Sequence, residues 1–183
     1  MDVVSRVKNI LIDPKTEWGV IDGEPDDPVT ILKSYVVIVA AIPAVCGFIG
    51  ASIIGVAGYR TGIIGGFVSA VLSYVLTLAG VFVMAFIIDT LAEMFGGQKN
   101  FNSAFKVAAY APTASWVAGV FTLIPVLSVL AILGLYSLYL LYLGLPVLMR
   151  TPPDKAIGYV IAVIVAAIIV SLLIFWIPAR LLF

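Results

Sequence analysis

The sequence predicts an all-α, polytopic membrane protein: five transmembrane helices preceded by an N-terminal amphipathic helix at the membrane surface. Three observations carry this. The chain is 63% hydrophobic and 11% charged, with a mean hydropathy of +1.20, whereas a water-soluble domain is closer to half apolar and a quarter charged. The apolar residues gather in runs long enough to cross a hydrocarbon layer of ~30 Å. The runs are separated by short breaks of Gly, Pro and charged residues. Two regions are expected, a cytoplasmic N-terminal segment over residues 1–27 and a five-helix membrane domain over 28–183.

Residues 1–12 place Val3, Val4, Val7, Ile10 and Leu11 at helical spacing, with Ser5, Arg6, Lys8 and Asn9 on the other face. Such a helix suits the headgroup plane, with Arg6 and Lys8 toward anionic lipid. Asp13-Pro14 ends it and starts another short helix, with Asp as N-cap and Pro in the first turn. Trp18 in that helix is a candidate interfacial anchor. Asp27-Pro28 repeats the signal and opens the first span, about 29–55. The first apolar run lies too far in for a secretory signal, so the N-terminus is expected to be retained.

Gly47, Ala51 and Gly55 recur every four residues on the first span, and Ser69, Ser73 and Thr77 do so on the second, about 63–88. Small residues at this spacing let helices approach closely, so these two are expected to pair. A tight turn over residues 57–62 joins them. The third span is expected over 103–123, kinked at Pro112, with Thr113 and Ser115 meeting the freed backbone groups. The fourth runs about 126–149. Thr151 and Asp154 read as a capping box for the fifth, about 156–177, which Phe175 and Trp176 anchor and Pro178 ends.

Five spans put Arg6, Lys8, Lys15, Lys33, Lys99, Lys106, Arg150 and Lys155 on one side and only Arg60 and Arg180 on the other. The excess of basic residues makes the N-terminal side cytoplasmic and puts the C-terminus outside. The formal net charge is zero, so there is no basic field for nucleic acid. The chain has no His, which excludes a Ser-His-Asp triad. One cysteine, Cys46, allows neither an internal disulfide nor a thiolate cluster. No cofactor and no metal site is expected.

Charge of both signs meets deep apolar sequence only over residues 88–116. Asp89 and Glu93 lie one helical turn apart and repel mildly if exposed. Lys106 has the wrong sign for the start of its helix. A hairpin that sets Lys106 against Asp89 or Glu93 relieves both, as an interfacial ion pair or as an ion or ligand site beside Tyr110 and Pro112. Trp116, Tyr136, Tyr139 and Tyr142 are candidates for an aromatic cleft near the kink, set against the plainer reading of packing and interfacial anchoring.

These residues carry a resemblance. The stretch Ile10 to Trp18, then Phe95-Gly96-Gly97, Ala109-Tyr110-Ala111-Pro112, Tyr136 to Pro146 and Thr151 to Ala156 together resemble the bacterial branch of the Yip family of small membrane proteins, named for interaction with Ypt/Rab GTPases. The resemblance covers nearly the whole chain and implies five helices with a cytoplasmic N-terminus. The bacterial branch of that family has no firmly assigned activity. Asp26-Asp27-Pro28 stands where eukaryotic relatives carry Asp-Leu-Tyr-Gly-Pro before the first span, and their long N-terminal tail is lacking. The leading expectation is a non-enzymatic inner-membrane scaffold or membrane organiser. It would bind membrane lipids or another membrane or cytoplasmic protein from the cytoplasmic side. The alternative is a small oligomeric transporter or channel, a homo-oligomer using Asp89, Glu93 and Lys106 near Pro112.

Overall fold

A computed structural model describes residues 2–25, 27–55 and 60–182, with side chains through residue 174. The described chain is helical, with no strand among those residues. Two short helices, α1 (Val3–Ile12) and α2 (Pro14–Gly23), precede the long α3 (Pro28–Ile54) and α4 (Ile63–Ala92). Then come α5 (Phe101–Tyr110) and α6 (Thr113–Ala118), followed by a tight 3-10 turn (Gly119–Leu123). The last two helices are α7 (Pro125–Leu148) and α8 (Pro153–Leu182). Four of these, α3, α4, α7 and α8, are long and apolar enough to cross a membrane.

The polar breaks set the helix starts as their residues dictate. The side chains of Asp2, Asp13, Asp27 and Asn100 accept hydrogen bonds from the backbone N–H of Ser5, Thr16, Thr30 and Ser103. Pro14 and Pro28 occupy first-turn positions where a missing N–H costs nothing. Thr151 behaves differently. Its hydroxyl is buried without a partner, so the capping box does not form. Instead the carbonyl of Pro152 accepts from Lys155 and Ala156. Pro178 does not end α8 either, whose backbone continues to Leu182; the side chains of Phe175 and Trp176 lie outside the described residues, as do residues 57–59 of the turn expected over 57–62.

The expected third span departs most from a plain helix. Residues 111–112 form a turn between α5 and α6. Thr113 Oγ1 donates to the carbonyl of Tyr110 at 2.6 Å and so meets a backbone group at the break, whereas Ser115 Oγ donates across to Gly134 O at 2.9 Å and meets none of those freed at Pro112. Residues 104–111 are all buried. This segment is apolar because protein surrounds it, and it is not among the four long apolar helices.

The expected neighbours α3 and α4 do meet: the Tyr74 hydroxyl donates to Val37 O at 2.7 Å, and Gly47 and Ala51 face Ser69 and Ser73. α4 packs most extensively on α8 and α5. A further glycine of α3, Gly50, receives the 3-10 turn: a Cβ there would fall 2.0 Å from Thr122 O. The largest fully buried side chains, among them Trp18, Phe105, Tyr159, Ile10, Ile21 and Leu145, all sit at the end of the bundle that carries α1 and α2. That end contains the molecule's packed core.

Candidate functional site

The helices α1 and α2 fold back on the membrane helices as a cap, held by buried charge. Arg6, 4% exposed, donates to Glu17 Oε1 at 2.5 Å and to Glu24 Oε1. Its guanidinium carbon lies 5.5 Å from the centre of the Tyr110 ring. Burial works against the Arg6 charge, but the Glu24 hydrogen bond and the nearby carboxylates outweigh it and hold its pKa above the ordinary value. Lys106, also buried, donates from Nζ to the carbonyls of Ile21 (2.8 Å) and Glu24 (2.5 Å). These carbonyls lie at the C-terminal end of α2, where a helix leaves acceptors unpaired and favours a cation. Lys106 lies in the middle of α5, not in its first turn as expected, and its ammonium sits at the C-terminal end of α2.

Three further contacts complete the cap. Trp18 is fully buried and lies flat on Gly144, where a Cβ would come within 2.4 Å of the ring; only glycine fits there. Tyr136 donates from its hydroxyl to Leu11 O at 3.2 Å, and Arg150 pairs with Asp22 at 2.6 Å on the surface. Beneath the cap, Tyr35 and Thr113 hydroxyls share a hydrogen bond of 2.7 Å, and the Tyr35 and Tyr110 rings are 4.6 Å apart. At the entry to α3, the Asp27 carboxylate accepts from Thr30 N–H, which holds its pKa below the usual range.

Several sequence expectations are thereby corrected. Lys106 meets neither Asp89 nor Glu93; backbone carbonyls of α2 take it instead. Arg6 and Trp18 turn inward and are not surface anchors, because Glu17, Glu24 and Gly144 provide a buried place for each; Lys8 alone of the three is exposed. The aromatic residues do not gather into one cleft. Tyr110 and Trp116 are buried, Tyr136 is half-buried, and Tyr139 and Tyr142 face outward, 41% and 46% exposed. Pro112 does break its helix, next to Tyr110. Glu17, Glu24 and Gly144 are the site residues that sequence reasoning missed. A carboxylate beside Trp18, and a second just past the end of the same short helix, were the available signal for the first two.

Asp89 forms a separate feature. It is 7% exposed and its Oδ1 has no hydrogen-bond partner among the described residues. Beside it the Tyr159 hydroxyl donates to Ile88 O, and Tyr159 stacks on Phe95 with ring centres 5.2 Å apart. Glu93 is exposed on the 3-10 turn that follows α4. No group of three or more potential metal ligands occurs among the described residues.

The fold and this cap define an all-helical membrane protein whose two N-terminal helices are tied to each other by buried ion pairs of Arg6 and docked onto the membrane helices through Lys106, Trp18 and Tyr136. The Yip1 domain matches residues 8–175, and the chain belongs to that family. It is similar to the inner membrane protein YohC of Escherichia coli K12, with 30% identity over 130 residues, 68% of this chain and 66% of the relative. The same protein from E. coli O6:H1 matches to the same extent. The chain thus spans just under two thirds of these relatives' length. No solved structure matches.

Proposed function

We propose that this chain is a non-enzymatic scaffold or membrane organiser of the inner membrane, crossing it five times with α5–α6 as the third pass and the N-terminus cytoplasmic. It binds other proteins or lipid headgroups through the outer face of the cap and the neighbouring 89–106 hairpin. The observation that carries this is the use made of the charged groups. Arg6, Glu17, Glu24 and Lys106 are consumed in fixing the cap, which turns two short helices into a rigid platform. The platform's outer face shows Val4 (73% exposed) and Ile12 (72%) with Lys8 between them, and the hairpin shows Met94 and Phe101 beside Lys99. Apolar side chains interleaved with cations on a fixed surface suit a partner or an anionic membrane surface. The inner-membrane relative and the basic residues at this end support the location and orientation.

The test is photo-crosslinking in the native membrane from single sites at Val4, Ile12 and Met94. Discrete adducts that vanish in Val4→Asp/Ile12→Asp are expected. Both positions are exposed, so the double variant should fold. Uniform or absent adducts at all three sites would overturn the reading. Deleting the cap is a poorer test, because it would strip the partners from Lys106.

A transport reading is favoured by Asp89 alone, a buried carboxylate with one unpartnered oxygen near the end of a span, where ionisable residues often mark ion paths. It no longer involves Glu93 or Lys106. A proteoliposome flux abolished by Asp89→Asn would support it, and flux equal to empty liposomes under several gradients would remove it.

A further inference from the structure

At the end of the bundle away from the cap, α3 and α4 touch at Ser52–Gly66 and Phe48–Phe67 but leave a gap beside these contacts. Between them is a cavity of about 250 Å³, open to one side and bounded by Ala44, Gly47 and Ala70 with Ser52, Ser69 and Ser73. Small residues alone would leave a packing gap. The hydroxyls make this something else. Ser52 is 4% exposed and reaches only Thr61 Oγ1, at 3.5 Å, beyond the 2.5–3.0 Å of an effective O–H···O bond. Ser69 and Ser73 donate to nothing among the described residues. On the same helix, Thr77 and Thr90 take the ordinary course in lipid and donate back to the carbonyls of Ser73 and Phe86, both at 2.8 Å. The serine donors are held off their own helices at the wall of a cavity.

The backbone is shaped to keep the site open. Residues Ile49–Ile54 form a π-type turn that ends at Gly55 with φ +76°, a winding often found beside binding sites. A Cβ on Gly66 would fall 2.0 Å from Ser52 Oγ, so glycine there leaves the hydroxyl its place. Ser52 is buried with only its long bond to Thr61, and Ser69 and Ser73 are half-buried on the wall; hydroxyl donors left unmet against hydrocarbon are costly, and a ligand that accepts hydrogen bonds relieves the cost.

Depth and charge choose the ligand. The cavity begins near Thr61, just before α4 starts at Ile63, and reaches ten residues into that helix, ~15 Å at 1.5 Å per residue. It therefore spans the boundary between headgroups and hydrocarbon. The lining named here holds no ionisable group, only donors and small apolar side chains. We infer that the α3–α4 cavity binds the glycerol–ester segment of a membrane diacyl lipid, with Ser52, Ser69 and Ser73 donating to its ester carbonyls and the upper acyl chain passing over Ala70. The site lies at the opposite end of the bundle from the cap and stands or falls independently of it.

The test uses the full chain in nanodiscs holding equal amounts of a diester phospholipid and its diether analogue with the same chains and headgroup. Native mass spectrometry reads which lipid stays bound. Diester should be retained over diether by about fivefold or more, the equivalent of roughly one hydrogen bond. Ala70→Leu, which fills the cavity, should abolish the preference. Ser69→Ala/Ser73→Ala, which changes volume little and keeps the test valid if the larger side chain misfolds the protein, should reduce it toward parity. Equal retention of the two lipids, retention of neither, or a preference that survives both variants would overturn the assignment.

Discussion

The two ends of this helical bundle solve opposite problems. At the cap end the large side chains are buried and four charged groups, Arg6, Glu17, Glu24 and Lys106, are held by specific partners. At the far end the apolar side chains point outward, as Ile64 (82% exposed) and Val126 (83%) do, and the polar groups facing inward are hydroxyls with spare donors. The first end behaves like the core of a soluble domain, in which buried charges are met by specific partners, although Trp18 Nε1, Asp89 Oδ1 and Thr151 Oγ1 have none among the described residues. The second is organised around lipid as solvent, where helices associate through packing and small residues. Stability should therefore reside at the cap end and adaptability at the far end.

The sharpest way to break the contrast is to remove the cation at the centre of the cap. Arg6→Met keeps much of the side-chain volume but leaves Glu17 buried and unpaired. Removing one partner of a buried pair costs about 3–5 kcal/mol. Residues 2–25 are expected to become protease-sensitive while α3, α4, α7 and α8 stay folded, with a large fall in the thermal midpoint in detergent. A midpoint unchanged from the parent would mean that packing of Trp18 and Ile21 holds the cap without the ion pairs. Gly144→Leu attacks the same cap by bulk alone. The side chain would enter space filled by the Trp18 ring, and overpacking of this kind costs about 1–3 kcal/mol. A blue-to-red change in which Trp fluorescence shifts toward that of a solvated indole is the expected signature, and an unaltered spectrum would show that α7 can move aside.

The sequence disclosed the far end better than the cap end, for a physical reason. Hydropathy reports that a run avoids water, not whether lipid or protein surrounds it. It therefore located α3, α4, α7 and α8 to within a few residues, and read the enclosed α5–α6 segment as an equal span. The capping residues Asp13, Asp27 and their prolines were legible because an N-cap is a local event. Arg6 was not. Helical periodicity put it on the polar face of α1, and only the return of α2 brings Glu17 and Glu24 to that face. Lys106 was hardest, since its partners are the backbone carbonyls of Ile21 and Glu24, which no side-chain pattern announces. Trp18, Tyr110, Tyr136 and Gly144, scattered over three of the stretches that carry the resemblance, meet beneath or beside the cap.

Asp89 offers a finer comparison within the same end of the molecule. Unlike Arg6, it has an oxygen with no partner to lose. Asp89→Asn removes a buried charge and orphans no opposite charge, so its effect on the thermal midpoint should be small, within about 1 kcal/mol, and should be in the stabilising direction. A loss as large as that of Arg6→Met would show that the Asp89 carboxylate has a tightly bound partner, and would move weight to the transport reading.

The smallest effect is expected where the cap meets water. Arg150 and Asp22 make a 2.6 Å ion pair, but Arg150 is 56% exposed on its side chain, and exposed pairs contribute about 0–1 kcal/mol. Arg150 also has φ +52°, a left-handed conformation that suits glycine better than any residue with a Cβ. Arg150→Gly therefore loses a weak pair and relieves backbone strain, two changes of similar size and opposite sign. Arg150→Ala loses the pair and keeps the strain. The glycine variant should thus be more stable than the alanine variant by about 0.5–1 kcal/mol, and close to the parent. Equal destabilisation by both would mean that the surface pair, and not the turn geometry, fixes the edge of the cap.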